Sequence, residues 1–508
     1  VPAPLPSPDW TALAEALDGD LLLDEASRTL YATDASAYRE RPLAVALPAS
    51  EEDLGRLVAF GRRHGLPLIP RATGTSLAGQ VVGAGLVVDV SRHLDRVLDL
   101  DPAGRTVTVQ PGVIRDDLNR QLAPHGLFFA PETSTANRAT IGGMAGNNSC
   151  GANSVVYGST REHVLAIEGY LADGRRARFT PLDEAGLEAA CSAEGLEGDV
   201  WRLWRAWRAD AGLRDAVREA FPKPGIPRRN TGYALDLMLG VEPLPHGSTH
   251  PAQAERRRAA ADPLGLLCGS EGTLLLTARI TLSLEPLPPP HAALVCAHFD
   301  SVDEALRGNL VALRHAPHAV ELMDHYIFSC TAGNRTYAPY RFFLQGDPQA
   351  VLVVALHRET EAELERTIEE LERSFRDESL GYAFPVVRGT DMAKVWGLRK
   401  AGLGLLSNLP GDAKPAPVIE DTAVDVADLP AYIRDFNALL RDRGMHAVHY
   451  AHAGSGELHL RPILNLKTAE GQAGFRRIAE DVAALVKRYR GSLSGEHGDG
   501  RLRGEFIR

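Results

Sequence analysis

The chain has 508 residues, enough for two to four domains. Hydrophobic residues make up 44% and charged residues 24%, an ordinary globular balance, and the net charge of −11 excludes a global attraction to nucleic acid. No uninterrupted apolar run reaches about eighteen residues, so no membrane span is expected. The cysteines (Cys150, Cys191, Cys268, Cys296, Cys330) lack CxxC spacing, which argues against a disulfide framework and against an iron-sulfur cluster within the chain. VPAPLPSPDW lacks the basic and apolar regions of a signal peptide and an initiator Met, which suits a processed chain or a fragment. The expected compartment is the cytoplasm, with the inner face of a membrane as a peripheral alternative.

Residues 10–17 carry helical apolar spacing. Residues 50–64 open with Ser50 and acids and close with basic residues, which predicts a helix. A short buried strand is expected at 66–70, followed by the loop PRATGTSLAGQ. Strands at 85–90 and 106–109 and a helix at 114–125 come next. Residues 142–153 are rich in Gly, Ala and Asn and read as a second loop. A hairpin is expected from 164–171 and 176–180. From about 183 to 263 the composition changes to Trp- and Arg-rich helix, then Pro- and His-rich sequence. This reads as a helical insert whose basic run at 256–258 keeps a loop solvated. Strand character returns at 264–284, and LEPLPPPHAA reads as a linker. Strand, helix, strand and helix at 293–299, 301–314, 350–356 and 360–376 then suggest an α+β sandwich.

Two segments could hold a ligand. In PRATGTSLAGQ the backbone N–H groups can turn to one side and bind an anion. Gly74 allows close approach, and Thr75 and Ser76 add hydroxyls. The loop is neither GxGxxG nor GxxxxGK[ST], so neither a Rossmann nor a Walker site is supported, and a bare surface turn is the alternative. In the second segment Gly142 and Gly143 remove side chains where something flat or phosphorylated could pass.

HYAHAGSGELHL reads as two strands around a Gly-Ser-Gly turn. A hairpin closed over 454–457 would set His452 directly opposite His459, close enough to share a metal ion. Glu496-His497 adds a carboxylate beside another imidazole. The alternative is a pair of ordinary surface histidines.

Taken together, PRATGTSLAGQ, ATIGGMAGNN, YGSTREHV, CGSEGTLLL, HAGSGELH and SGEHGDG resemble the FAD-linked oxidase family of the vanillyl-alcohol oxidase superfamily. The nearer branch contains FAD-linked D-lactate dehydrogenase, the glycolate oxidase flavin subunit and D-2-hydroxyglutarate dehydrogenase. The resemblance implies an α+β fold: a two-subdomain FAD-binding domain over residues 1–285 and a cap domain with an antiparallel sheet over 286–508. It assigns Pro70, Arg71, Ala72, Thr73, Gly74, Thr75, Ser76 and Gln80 to the cofactor, with Arg71 to Ser76 on the pyrophosphate. Pro131, Glu132 and Thr133 would lie along the flavin, and Thr140, Gly142 and Gly143 would complete the phosphate and ribose site. Asn148, Gly151, Glu271 and Gly272 are further cofactor candidates. Ala72-Thr73 replaces the family's usual glycine pair. Small hydroxyl residues stand where covalent members carry a histidine, so non-covalent FAD is expected.

The resemblance also implies a divalent metal, zinc by preference, on His452, His459 and Glu496. Ser455 replaces the usual acid, Glu457 the usual Asn, and Arg461 stands where hydroxyglutarate-type members place Asn. A 2-hydroxy acid could chelate such an ion, His497 would take the hydroxyl proton, and C2 hydrogen would leave as hydride to the flavin. Arg399 in VWGLRKAG matches a family arginine that clamps the substrate carboxylate, and Lys414 a lysine near the substrate; a solvated loop lysine is the alternative for the latter. GEHGDGRLRGEF resembles long members fused to an iron-sulfur domain, so the expected partner is an electron acceptor or an iron-sulfur domain or subunit, the acceptor itself being unmarked in the sequence. Competing readings are a flavin-dependent ether-lipid synthase, a non-catalytic flavin electron-transfer subunit, and a zinc hydrolase, the last disfavoured by the lack of HExxH.

Overall fold

The computed structural model describes residues 8–406 and 409–507. In one sheet the strands Asp20–Leu22, Ala44–Leu47, Leu86–Asp89 and Leu68–Arg71 lie side by side in that order, the last three parallel. Parallel neighbours need a crossover, and the helix Glu51–His64 supplies it. Ser50 caps its start by accepting the Asp53 N–H, and Gly65 ends it in the left-handed conformation. Leu54, Leu57 and Phe60 bury its apolar face.

A second, antiparallel sheet runs Val97–Asp101, Thr106–Val109, Leu276–Ser283, Val164–Tyr170, Arg176–Phe179. Its central strand is last in sequence, so the helices between Glu184 and Leu267 form an excursion from this sheet. The Trp-rich helix Leu196–Ala209 packs back through the buried Trp201 and Trp204.

Residues 291–464 form an eight-stranded sheet. The strands run Val386–Arg388, His291–Phe299, Ala350–Arg358, Ala319–Asp324, Ala447–His452, Glu457–Leu464, Lys414–Pro415, and Ile419–Ala423 also pairs with Glu457–Leu464. Both faces are covered. Along His291–Phe299, Val295, Ala297 and Phe299 join one core while Leu294 and Cys296 join the other, the period of two that a pleated strand imposes. Helices Val302–Leu313, Glu361–Asp377, Leu429–Arg441 and Ala469–Arg488 fill the first face, and His325–Ala332 and Met392–Leu406 the second.

Several segments differ from expectation. The glycine-rich stretch is not a loop throughout: Ile141–Asn147 is a helix capped by Thr140. A Cβ on Gly142 would lie 2.5 Å from Pro111 Cβ, so this glycine serves helix packing. Residues 264–284 begin as the helix Pro263–Leu267, favoured by Pro at its first turn, and become strand only at Leu276. Within the linker, Glu285–Pro286 pairs with Leu127–Phe128. Arg256 is not solvated; it is buried, donates to the Arg161 and Val164 carbonyls and pairs with Asp262. Strands Ala319–Asp324 and Ile419–Ala423 were unmarked in the sequence, because Glu321, Asp324, Glu420 and Asp421 are acidic yet buried.

Candidate metal and flavin site

The histidine hairpin forms with a different register. Ala453–Ser455 makes a 3₁₀ turn and Gly456, at φ +78°, closes it. A Cβ on Gly456 would lie 2.2 Å from the Val424 carbonyl oxygen, so the position needs glycine. His452 therefore faces Glu457, and His459 faces Tyr450. The histidines are diagonal rather than directly opposite, but they share a face, with ring centroids 5.2 Å apart. The shift brings in Glu457, a buried carboxylate that sequence reasoning left outside the ligand set.

Glu496 completes the cluster. His452 Nε2 lies 3.6 Å from Glu496 Oε1 and 3.9 Å from Glu457 Oε2, and His459 Nε2 lies 3.7 Å from Glu496 Oε1. One ligand atom from each of His452, Glu457, His459 and Glu496 falls within 4.8 Å of the others. Ligands about 2.1 Å from a tetrahedral ion stand roughly 3.4 Å apart, so this donor set fits a divalent metal with little adjustment. Burial works against charge on His452, but Glu321, Glu496 and Glu457 outweigh it and Arg228, and raise its pKa to about 9. Burial likewise opposes ionisation of Glu496, and Arg228 and His452 reverse this and hold it well below the usual carboxylate range.

A β-bulge positions the Glu496 loop. Between Ile419 and Thr422 the pairing with the hairpin slips, and Asp421 takes φ +59°. Glu420 then turns to His459, and Asp421 turns the other way. Asp421 Oδ2 accepts the N–H groups of Gly495 (3.0 Å), Glu496 (2.7 Å) and His497 (2.7 Å) and the Ser494 hydroxyl (3.1 Å). The buried guanidinium of Arg503 pairs with Asp421 Oδ1. His497 is thereby set with Nε2 3.2 Å from Glu496 Oε1 and its ring stacked on His459. Burial opposes its protonation, yet Asp421 and Glu496 raise its pKa to about 9.

Arg228, in the stretch read as a polar insert, was also missed. It is buried and Nη1 donates to Glu496 Oε2 at 2.7 Å, with Glu457 Oε2 3.4 Å away, while Nη2 donates to the Gly151 carbonyl and both Nη2 and Nε donate to Ser154 Oγ. Only its neighbours in space, not its Pro-rich surroundings in sequence, mark it.

A cleft of about 630 Å³ ends at this cluster. Its walls include Pro70, Arg71, Ala72, Thr73, Gly74, Thr75, Ser76, Gln80, Thr133, Thr140, Gly142, Gly143, Glu271 and Gly272, and at the inner end Glu496 and His497. Among the described residues, the backbone N–H groups of Ala72 to Ser76 find no acceptor. Such an array along one wall suits the oxygens of a pyrophosphate. The first N–H groups of Ile141–Asn147, by contrast, are already used by Val113 O, Pro111 O and Thr140 Oγ1. Gly74 and Gly272 have positive φ, and a Cβ on Gly272 would press Pro70 at 3.1 Å. The cleft thus fits a long dinucleotide with a diphosphate at Ala72 to Ser76. Gly74→Val is expected to lower stability by about 1–2 kcal/mol through the left-handed backbone alone, roughly 5- to 30-fold in the ratio of folded to unfolded protein. Denaturant unfolding of the flavin-free protein checks this.

Residues 42–180 match the family described as "FAD binding domain", and residues 288–508 match "FAD linked oxidases, C-terminal domain". Together the two matches place the chain among the FAD-linked oxidases. D-2-hydroxyglutarate dehydrogenase of Pseudomonas putida is 35% identical over 519 residues, covering 99% of this chain and 49% of that protein. Glycolate oxidase subunit GlcD of Escherichia coli is 26% identical, covering 98% of this chain and 85% of its own length. The chain spans about half the length of the D-2-hydroxyglutarate dehydrogenases it matches. The structure of 4-ethylphenol oxidase from Gulosibacter chungangensis has the same fold, with a TM-score of 0.65 and 14% identity over 96% of this chain and 88% of that one.

Other residues singled out by the resemblance to FAD-linked oxidases fall elsewhere. Asn148, at φ +51°, accepts from Ser159 Oγ and Arg161 N and is closed in protein. Gly151 offers its carbonyl to Arg228, and Pro131 its carbonyl to Arg115. Glu132 accepts from Asn153, so these four brace the cleft from behind rather than line it. Glu271 lines the cleft, yet its carboxylate is occupied by the N–H groups of Asp499 and Gly500. Arg399 reaches the cluster's outer layer, with Nη2 2.9 Å from Glu321 Oε2. Lys414 pairs with Leu464, about 17 Å along the strand from His459, and donates to the Leu409 carbonyl.

Proposed function

We propose that this chain is the flavin- and metal-binding part of an enzyme that oxidises a D-2-hydroxy acid to the 2-keto acid. The observation that carries the proposal is that Glu496 belongs to the metal-type cluster, His497 Nε2 stands 3.2 Å from it, and both residues line the inner end of the FAD cleft. FAD would be held non-covalently, since Ala72 to Ser76 offer neither histidine nor cysteine. His452, His459 and Glu496, with Glu457 beside them, would hold the divalent ion, zinc by preference. When bound, FAD supplies a hydride acceptor for C2 and the ion makes a chelating hydroxyl more acidic.

His497 would take the hydroxyl proton at Nε2. In the metal-free protein the carboxylates of Asp421 and Glu496 hold a proton on it; a cation shared by Glu496 weakens that hold. Arg399 would anchor the substrate carboxylate. Its Nε is buried and has no acceptor among the described residues, and a carboxylate would supply one. Lys414 takes no part in this reading. The flavin domain would end near residue 285, and the cap would begin at 286. An iron-sulfur domain or subunit is the proposed electron acceptor, on the spelling of GEHGDGRLRGEF. Among the described residues no helix is long and apolar enough to cross a membrane.

Anaerobic mixing with lactate, glycolate, malate and 2-hydroxyglutarate, each D enantiomer where one exists, tests the reading. At least one acid should bleach the flavin, and chelation should stop bleaching without releasing FAD. Failure of every acid removes the oxidation; bleaching that survives full metal removal removes the metal.

A further inference from the structure

Each metal-facing histidine has a buried carboxylate behind it that is paired in turn with an arginine. His452 Nδ1 is 2.8 Å from Glu321 Oε1, and Glu321 Oε2 is 2.9 Å from Arg399 Nη2. His459 Nδ1 is 3.1 Å from Glu420 Oε1 and 3.2 Å from Glu457 Oε1, and Glu420 Oε2 is 2.6 Å from Arg461 Nε. Glu321 and Glu420 are each 1% exposed. They come from different strands. Ala319–Asp324 borders the first strand of the hairpin, and Ile419–Ala423, through its bulge, borders the second. Tyr450 links the two chains. Its ring stacks on His459 at 4.5 Å and lies 5.0 Å from the Arg399 guanidinium, and its hydroxyl donates to Glu420 Oε1 at 2.9 Å.

We propose that Glu321 and Glu420 are positioning residues of the metal centre, each holding its histidine with the proton on Nδ1 and Nε2 turned to the ion, while Arg399 and Arg461 fix the two carboxylates. The proposal rests on the reading of His452, His459 and Glu496 as metal ligands. The physical ground is the geometry of imidazole. Its two nitrogens point apart, so a carboxylate on Nδ1 selects both the tautomer and the ring orientation. An arginine behind the carboxylate offsets the cost of burying it. Arg461 belongs to this arrangement, which gives a reason for an arginine two residues after His459. Arg399 then has two neighbours to satisfy: Glu321 at Nη2 and the substrate at Nε.

Metal affinity of the flavin-loaded protein tests this without reference to turnover. Wild type, Glu321→Gln and Glu420→Gln are stripped of metal, and Zn²⁺ binding is measured by competition with a chromophoric chelator. Wild type should bind Zn²⁺. Each variant should bind roughly 10- to 100-fold more weakly while keeping its flavin absorbance. The visible bands of the Co²⁺-loaded variants should shift from those of wild type, and Glu420→Asp, with the charge restored, should recover part of the affinity. Affinities within about threefold of wild type for both variants overturn the positioning role and leave the metal reading intact. Wild-type protein that binds no Zn²⁺ overturns both. Should one variant fail to fold, the other decides, because the two carboxylates sit on separate strands and back separate histidines.

Discussion

His452→Ala is expected to slow anaerobic flavin reduction by the preferred 2-hydroxy acid about 10³-fold while leaving the FAD content unchanged. The two effects separate because His452 does not line the cleft, whereas it stands within 4 Å of both Glu457 and Glu496. Without it the cluster loses one of its two imidazoles and the ion that would make the substrate hydroxyl acidic. Stabilisation of developing charge by a metal is worth several kcal/mol, and about 4 kcal/mol corresponds to 10³ in rate. Stopped-flow absorbance reads the reduction, and the ratio of flavin to protein absorbance reads the cofactor. Bleaching at the wild-type rate would mean that the cluster takes no part in the chemistry.

Asp421→Asn is expected to give the largest loss of stability, about 3–5 kcal/mol, the usual cost of breaking a buried ion pair by removing one partner. Asparagine tolerates left-handed backbone, so the positive φ of Asp421 is not the source of the loss. The charge is. It pairs with the buried Arg503 and collects three backbone N–H groups, at Gly495, Glu496 and His497. The asparagine side chain would turn an N–H toward donors or abandon the arginine. Denaturant unfolding of the metal-free protein measures the loss. A change below about 1 kcal/mol would show that the backbone turn, not the carboxylate, fixes the loop bearing Glu496.

The sequence made some of this legible and hid the rest for identifiable reasons. His452, His459 and Glu496 were readable because chemistry restricts which residues bind metal. The hairpin register was not, because it depends on the 3₁₀ turn at Ala453–Ser455, and that moved the pairing enough to admit Glu457. The loop Ala72 to Ser76 stood out in the sequence as a candidate anion site from its small residues after a strand, and in the structure it lines the cleft. The glycines of Ile141–Asn147 looked the same in sequence but serve helix packing at Gly142. Glu321, Glu420 and Asp421 lie in strands that acidic side chains disguised, and their burial makes sense only beside Arg399, Arg461 and Arg503. Arg228 lies 268 positions from its partner Glu496, a distance over which no local pattern can speak.

The loop that carries Glu496 and His497 is also a seam. Gln80 and Asn147 donate to the His497 carbonyl, Asn230 to that of Glu496, and Glu271 receives Asp499 and Gly500. The Gln80 contact closes a span of 417 residues. Contacts so far apart in sequence form late and at an entropic cost that local structure does not repay. During synthesis the cleft wall at Ala72 to Ser76 emerges hundreds of residues before the groups that finish the cleft. The wall at Ala72 to Ser76 is therefore made well before the groups at the other end of the cleft, and the cleft is complete only after residues 495–503 have docked.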